Sequence, residues 1–241
     1  MSECSQSNST AYLVRPPLRL AVFDLDGTLK EAYSPWMYLH RALGTQIPAE
    51  EYHQQFVRGE ISYLDWARLD SALWKGVPLA RVKEVFRSNT YRPGARQLFQ
   101  FLHRHSIPCA IVSTGLTVQA EQVAADLGVW RTIANELAVQ DGLLTGEAIV
   151  HVMEDSKGPI MAGLQSELGA APEECLAVGD GTADIDLFGQ AGLAIAVCPR
   201  SDLVRDSAHF VIEDGDLGRI IPLILDHFHL DASNQFIPSQ H

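Results

Sequence analysis

Residues 18–23, Leu-Arg-Leu-Ala-Val-Phe, are almost entirely apolar and run straight into Asp24-Leu25-Asp26-Gly27-Thr28. A short apolar run bounded by turn residues predicts a strand buried on both faces, and such strands belong to parallel sheets covered by helices. Side chains two apart on an extended chain point the same way, so Asp24 and Asp26 leave the strand end as neighbouring carboxylates. Like charges that close repel, and a buried carboxylate is costly without a partner. A bound cation or a shared proton resolves the conflict. A strand followed by a solvated Asx turn is the plainer reading, with Gly27 and Thr28 suited to the turn itself.

Residues 31–92 differ in character from the rest of the chain. They hold Trp36, Trp66, Trp74 and most of the tyrosines, with no buried-strand pattern. Helical spacing appears over 35–43, from Pro48 to about 57, over 62–74, and after Pro78 with Leu79, Val82, Val85 and Phe86 on one face. This predicts a small helical module inserted after the first strand, its aromatics forming its own core except where they face a site. From Pro93-Gly94 onward, helix and strand patterns alternate. Ile107–Val112, Cys175–Val178, Leu193–Val197 and Phe210–Ile212 read as strands, and 217–228 as a last amphipathic helix. Alternation of this kind argues for an α/β fold, a parallel sheet with helices on both sides. Asp141-Gly142 within 133–150 is a hairpin signal. The polar ends, 1–16 and 231–241, read as disordered tails.

Three more stations carry possible chemistry, each at the end of a strand or the start of a helix. Ser113-Thr114-Gly115 ends the second strand; a small hydroxyl residue there is an N-cap for the next helix or part of an anion site. Lys157 follows Ser156, which can cap the helix of Ile160, Met161, Leu164 and Leu168. A lysine in a first turn opposes the helix dipole, so it is explained best by a nearby anion, although a surface lysine is the local alternative. Asp180 and Asp184 lie four apart after another buried strand, on one face if the turn is helical.

In this order the stations resemble the motifs of the haloacid dehalogenase superfamily, in its phosphoserine phosphatase-like branch, over roughly 17–230. Thr114 stands where that branch usually has Gly. The resemblance implies a Rossmann-like parallel sheet flanked by helices, built from 17–30 and 93–230, with 31–92 as a helical cap. It further implies a Mg²⁺-dependent phosphomonoesterase. Asp24 would be the nucleophile, forming an aspartyl-phosphate; Asp26 would protonate the leaving oxygen and then activate water. Ser113, Thr114 and Lys157 would bind the phosphoryl group. Asp24, the backbone carbonyl of Asp26, and Asp180 would hold Mg²⁺, with Asp184 on a metal-bound water or on Lys157. Asp26 must then start neutral while Asp24 is charged. Its presence also argues against dehalogenation, because a halide leaving group needs no proton.

The net charge of −12 argues against nucleic acid and anionic membranes as partners and leaves a phosphate ester dependent on a metal ion and a local lysine. No apolar run reaches transmembrane length. The four scattered cysteines lack metal-type spacing and suit buried thiols in a cytoplasmic protein. The expected partner is a small phosphate monoester, handled by a monomer or homodimer. True phosphoserine phosphatases read the ammonium and carboxylate of their substrate with a Glu seven residues after the second Asp and an Arg in the cap. Here those places hold Tyr33 and Asp70, with Arg68 two positions away as a substitute guanidinium. Tyr33, Trp36, Arg68 and Asp70 are therefore the candidate specificity residues. They predict poor activity on phosphoserine and a hydroxylated or partly aromatic ester instead. A phosphoserine phosphatase proper, a phosphomutase and a catalytically silent metal-binding regulatory domain are the rival readings.

Overall fold

Leu20–Phe23 forms β1, every residue of which is buried. It lies between β2 (Cys109–Leu116) and β5 (Cys175–Gly179), parallel to both. The structure, a computed structural model, describes residues 15–230; the expected tails at 1–14 and 231–241 lie outside the described residues. Arg15 and Pro16, expected within the first tail, are instead tied to the far end of the chain, with His229 N donating to Pro16 O at 2.8 Å. With β3 (Arg131–Gln140), β4 (Leu143–Ile149), β6 (Leu193–Val197) and β7 (Phe210–Ile212), the strands form one seven-stranded sheet in the order β4-β3-β2-β1-β5-β6-β7. Only the β3–β4 pair is antiparallel. Its turn is Asp141-Gly142, both at positive φ (53° and 78°), as a two-residue hairpin needs.

The alternation of side chains along β1 divides the core. Ala21 and Phe23 pack beneath α5 (Ala95–Arg104), α6 (Thr117–Leu127) and α10 (Ile220–His227); Leu20 and Val22 pack on the other side beneath α7 (Lys157–Leu168), α8 (Ile185–Phe188) and α9 (Asp202–Ser207). This both-face burial is the reason β1 reads as a continuous apolar run.

Between β1 and α5 come α1 (Pro35–Leu43), α2 (Gln46–Val57), α3 (Tyr63–Ala72) and α4 (Leu79–Arg87). Trp36, Leu39, Trp66, Trp74, Val82 and Phe86 from this segment form a third cluster. That cluster also takes in Leu137 and Leu144 from the hairpin, and Leu144 N donates to Val77 O while Gly76 N donates to Leu144 O. The helical insertion thus rests on a hairpin contributed by the later part of the chain.

Two local expectations change. β2 continues past Val112 to Leu116, with its pairing to β3 shifting register between those residues. Ser113 is accordingly a strand residue, and α6 starts at Thr117 without a side-chain cap. Ser156 does not cap α7 either: its hydroxyl accepts from Met153 N at 2.7 Å and donates to Met153 O at 3.0 Å.

Candidate active site

The carboxyl ends of β1, β2 and β5 open into a cavity of about 90 Å³ lined by Asp24, Asp26, Ser113, Thr114, Lys157, Asp180 and Asp184 among others. Ligands of open α/β sheets gather at such strand ends. All four stations read from the sequence therefore meet in one place.

Asp24 follows β1 directly, and its N–H donates to Val178 O at 2.8 Å, which extends the pairing with β5 by one residue. Gly27 has φ 90°, and a Cβ there would run into the Asp180 carboxylate and the Tyr33 ring. The turn after Asp26 thus needs glycine for both its backbone and its space. Thr28 Oγ1 donates to Asp180 Oδ1 at 3.2 Å.

Lys157 is 1 % exposed and donates to Asp24 Oδ1 at 2.6 Å and to Asp184 Oδ1 at 2.7 Å. The other oxygen of Asp184 accepts from the backbone N–H groups of Asp180 and Gly181, both at 2.9 Å. Asp184 is thereby held in place against Lys157. Burial works against the lysine charge, but Asp184 and Asp24 outweigh it and hold the ammonium pKa above its ordinary value. Asp24 is raised, by burial first and against the pull of Lys157.

Asp26 sits in a separate environment. Gln119 Nε2 donates to its Oδ1 at 2.5 Å, and Ser113 Oγ lies 3.3 Å from Oδ2. Burial, then the neighbouring Asp24 charge, push Asp26 up to about 8. Both carboxyls of the pair are raised by burial, but only Asp24 has the Lys157 ammonium in direct contact; unlike surroundings of this kind suit two carboxylates to different tasks.

Asp24, Asp180 and Asp184 present oxygens within 4.8 Å of one another, all buried. Asp180 Oδ2 has no hydrogen-bond donor among the described residues; its nearest partner is Arg200 Nε at 3.4 Å, and burial, then Asp24 and Asp184, raise its pKa to about 9. A three-carboxylate oxygen set with one orphaned buried oxygen fits a hard divalent cation such as Mg²⁺. The Asp26 carboxyl is not a member of this set.

The specificity candidates separate in space. Tyr33, Trp36 and Asp70 line a second cavity of about 400 Å³, which meets the first at Tyr33, Pro35, Thr114, Glu154 and Arg200. Arg68 is not among its lining residues: its side chain is 70 % exposed, 4.0 Å from Asp65. The reason is helical phase, since α3 turns Trp66, Ala67 and Asp70 inward and position 68 falls on the outer face. The guanidinium that does reach the junction is Arg200, from the loop after β6, set over the Tyr33 ring at 5.3 Å. No local sequence signal marks it, and none marks Gln119 or Glu154, which the fold also brings to the site; Asn135, in a stretch that resembles the same branch and reads as structural, reaches it too. Asn135 is fully buried and donates to Thr114 O at 2.9 Å, and Trp36 Nε1 and Tyr63 Oη donate to the same carbonyl at 3.2 Å and 3.3 Å. These donors from core and cap hold the Ser113-Thr114 segment in place.

The sheet order, the strand-end site and the lysine-bridged acids define a class. The profile of the haloacid dehalogenase-like hydrolases matches residues 21–189, and the chain belongs to that family. Its relatives place it in the phosphoserine phosphatase-like branch, as a phosphatase. The phosphoserine phosphatase of Methanocaldococcus jannaschii is 30 % identical over 209 residues, covering 86 % of this chain and 97 % of that one. That of a Polaromonas species is 32 % identical over 223 residues, covering 90 % and 94 %. A solved structure of a phospho-aspartyl intermediate analogue of phosphoserine phosphatase superposes with a TM-score of 0.74 at 28 % identity, covering 88 % of this chain and all of the other.

Proposed function

We propose that this chain is a Mg²⁺-dependent phosphomonoesterase that works through an aspartyl-phosphate on Asp24 and is poorly suited to phosphoserine. The observation that carries this reading is Lys157, buried between Asp24 and Asp184 at the mouth of three strands. A lysine enclosed there makes sense as charge compensation for an anion that arrives beside Asp24.

Asp24, the carbonyl of Asp26, and Asp180 would hold the metal, which when bound neutralises charge on the phosphoryl oxygens. Asp24 attacks phosphorus in line and expels the alcohol oxygen. Asp26, protonated at neutral pH, gives its proton to that oxygen and then takes one from the water that cleaves the acyl phosphate. Ser113 and Lys157 orient the transferring group. Asp184 keeps Lys157 aimed, and Gln119 and Ser113 keep Asp26 aimed.

Weak handling of phosphoserine is supported by Asp70, which puts a carboxylate in the cap cavity where a substrate carboxylate would need a cation, while Arg68 faces solvent. The names of the relatives favour a second reading, phosphoserine phosphatase proper. Phosphate release from a panel of monoesters, with and without Mg²⁺, decides. Release that needs Mg²⁺ supports the phosphatase reading; phosphoserine ahead of every other ester would favour the second. Phosphate returned to the substrate would mark a mutase, and no turnover a silent domain. The free thiols Cys109, Cys175 and Cys198 support a reducing compartment such as the cytoplasm, and no helix among the described residues is long and apolar enough to cross a membrane.

A further inference from the structure

The cap cavity has polar groups that its own fold leaves unanswered. Asp70 is 2 % exposed, and its Oδ1 has no hydrogen-bond partner among the described residues. Its Oδ2 lies 3.1 Å from His40 Nε2. His40 Nδ1 lies 3.1 Å from Trp74 Nε1 and 2.8 Å from Thr45 Oγ1. His40 thus stands beside one oxygen of Asp70 and leaves the other unanswered.

Around Asp70 the walls are aromatic. Trp66 lies 5.0 Å from Trp36, 5.3 Å from Tyr63 and 5.8 Å from Phe56, ring centre to ring centre, and all four rings line the cavity. Exposed Glu50 and Glu154 stand at its rim. Among the lining residues the one guanidinium, Arg200, lies on the phosphoryl side, its Nε 3.4 Å from Asp180 Oδ2. His53 also lines the cavity, and a neutral alcohol would leave Asp70 Oδ1 unanswered, while an anionic one would be repelled. A cation answers the charge and the π-faces together.

We propose that the alcohol half of the substrate carries an ammonium group: the substrate is an amino-alcohol phosphate whose cation sits against Asp70 inside the box of Trp36, Phe56, Tyr63 and Trp66. The inference rests on the phosphomonoesterase reading. Burial raises the Asp70 pKa, a direction that an arriving cation reverses.

The test pairs esters of equal shape and different charge. Choline phosphate is compared with 3,3-dimethylbutyl phosphate, and 2-aminoethyl phosphate with propyl phosphate and with phosphoserine, which differs from it by one carboxylate. p-Nitrophenyl phosphate serves as the general phosphatase substrate. The expected result is a kcat/KM at least about 10-fold higher for a cationic ester than for its neutral partner, and higher for 2-aminoethyl phosphate than for phosphoserine. In Asp70→Asn the cationic-to-neutral ratio should fall about 10-fold or more; the wild-type comparison stands even if that variant misfolds. Equal rates within each pair, or preference for a neutral sugar phosphate, overturn the ammonium site while leaving the phosphatase reading intact. No phosphate from any ester, p-nitrophenyl phosphate included, overturns the phosphatase reading and this inference with it.

Discussion

The floor of the site and the cavity above it are built on opposite terms. On the floor, Lys157, Gln119, Ser113, Thr28 and the backbone N–H groups of Asp180 and Gly181 answer most of the carboxylate oxygens, and Asp180 Oδ2, without a hydrogen-bond donor, belongs to the oxygen set that fits a metal. In the cap cavity, aromatic faces surround Asp70 Oδ1 and Trp66 Nε1, which nothing among the described residues satisfies. Buried polar groups are ordinarily paired, so each unpaired one points to something the structure must still receive. On the proposed reading, the floor would receive a phosphoryl group and a cation, and the cavity whatever distinguishes one ester from another.

Breaking the floor should have the larger consequences. Asp24→Asn removes the nucleophile, and phosphate release should fall by about four orders of magnitude or more, with no phosphorylated protein trapped in rapid quench. Asp26→Asn keeps an acceptor for Gln119 but cannot donate a proton from a carboxyl; kcat should fall about 10²–10⁴-fold while Mg²⁺ affinity by calorimetry stays near wild type. Lys157→Met leaves Asp24 and Asp184 facing each other without their cation. Breaking a buried pair this way costs about 3–5 kcal/mol, read as a lowered denaturation midpoint that Mg²⁺ partly restores.

The floor should also reveal itself through pH. Asp26 and Asp180 are raised from 3.8 to about 8 and about 9 in the metal-free fold, burial being the main cause. Between those limits the folded chain keeps protons that the unfolded chain releases, so these groups make stability fall as pH rises. The metal-free protein should lose Tm from pH 5 to pH 8, about 2–4 °C for each kcal/mol lost. Mg²⁺ should stabilise it more at pH 8, where its ligands ionise with less competition from protons. A Tm that rises over this range, with Mg²⁺ acting equally at both ends, would contradict the raised values. The smallest effect belongs to the cavity: Asp70→Asn should move stability by no more than about 1 kcal/mol, because Oδ1 has no partner to lose. A large destabilisation there would erase the contrast between the two regions.

Legibility in the sequence follows the same division. β1 and β6 are readable because double-sided burial demands an apolar run; β6 and the edge strand β7 match their expected spans at Leu193–Val197 and Phe210–Ile212. The hairpin is readable from Asp141-Gly142, since few residue pairs accept two positive φ angles. The acids are readable because a strand end that turns abruptly from apolar to doubly acidic has few structural justifications. Ser113 is legible in its chemistry but not in its setting, a strand instead of a cap, because pairing with β3 carries β2 beyond Val112. Arg68 is near Asp70 in sequence, and helical phase sends it outward all the same.

From its order of residues alone, this protein was committed to a buried strand ending in paired carboxylates, an alternating α/β frame and a first-turn lysine best explained by a nearby anion. Those are local or periodic properties, and a side chain's alternation or spacing records them. Only the folded chain brought Lys157 to Asp24 across 133 residues, set Arg200 against Asp180, and left Asp70 and Trp66 each with an atom unmatched. Such facts depend on which strand ends and loops meet in space. A pattern along the chain carries no record of which distant groups will face each other, or of which will face none.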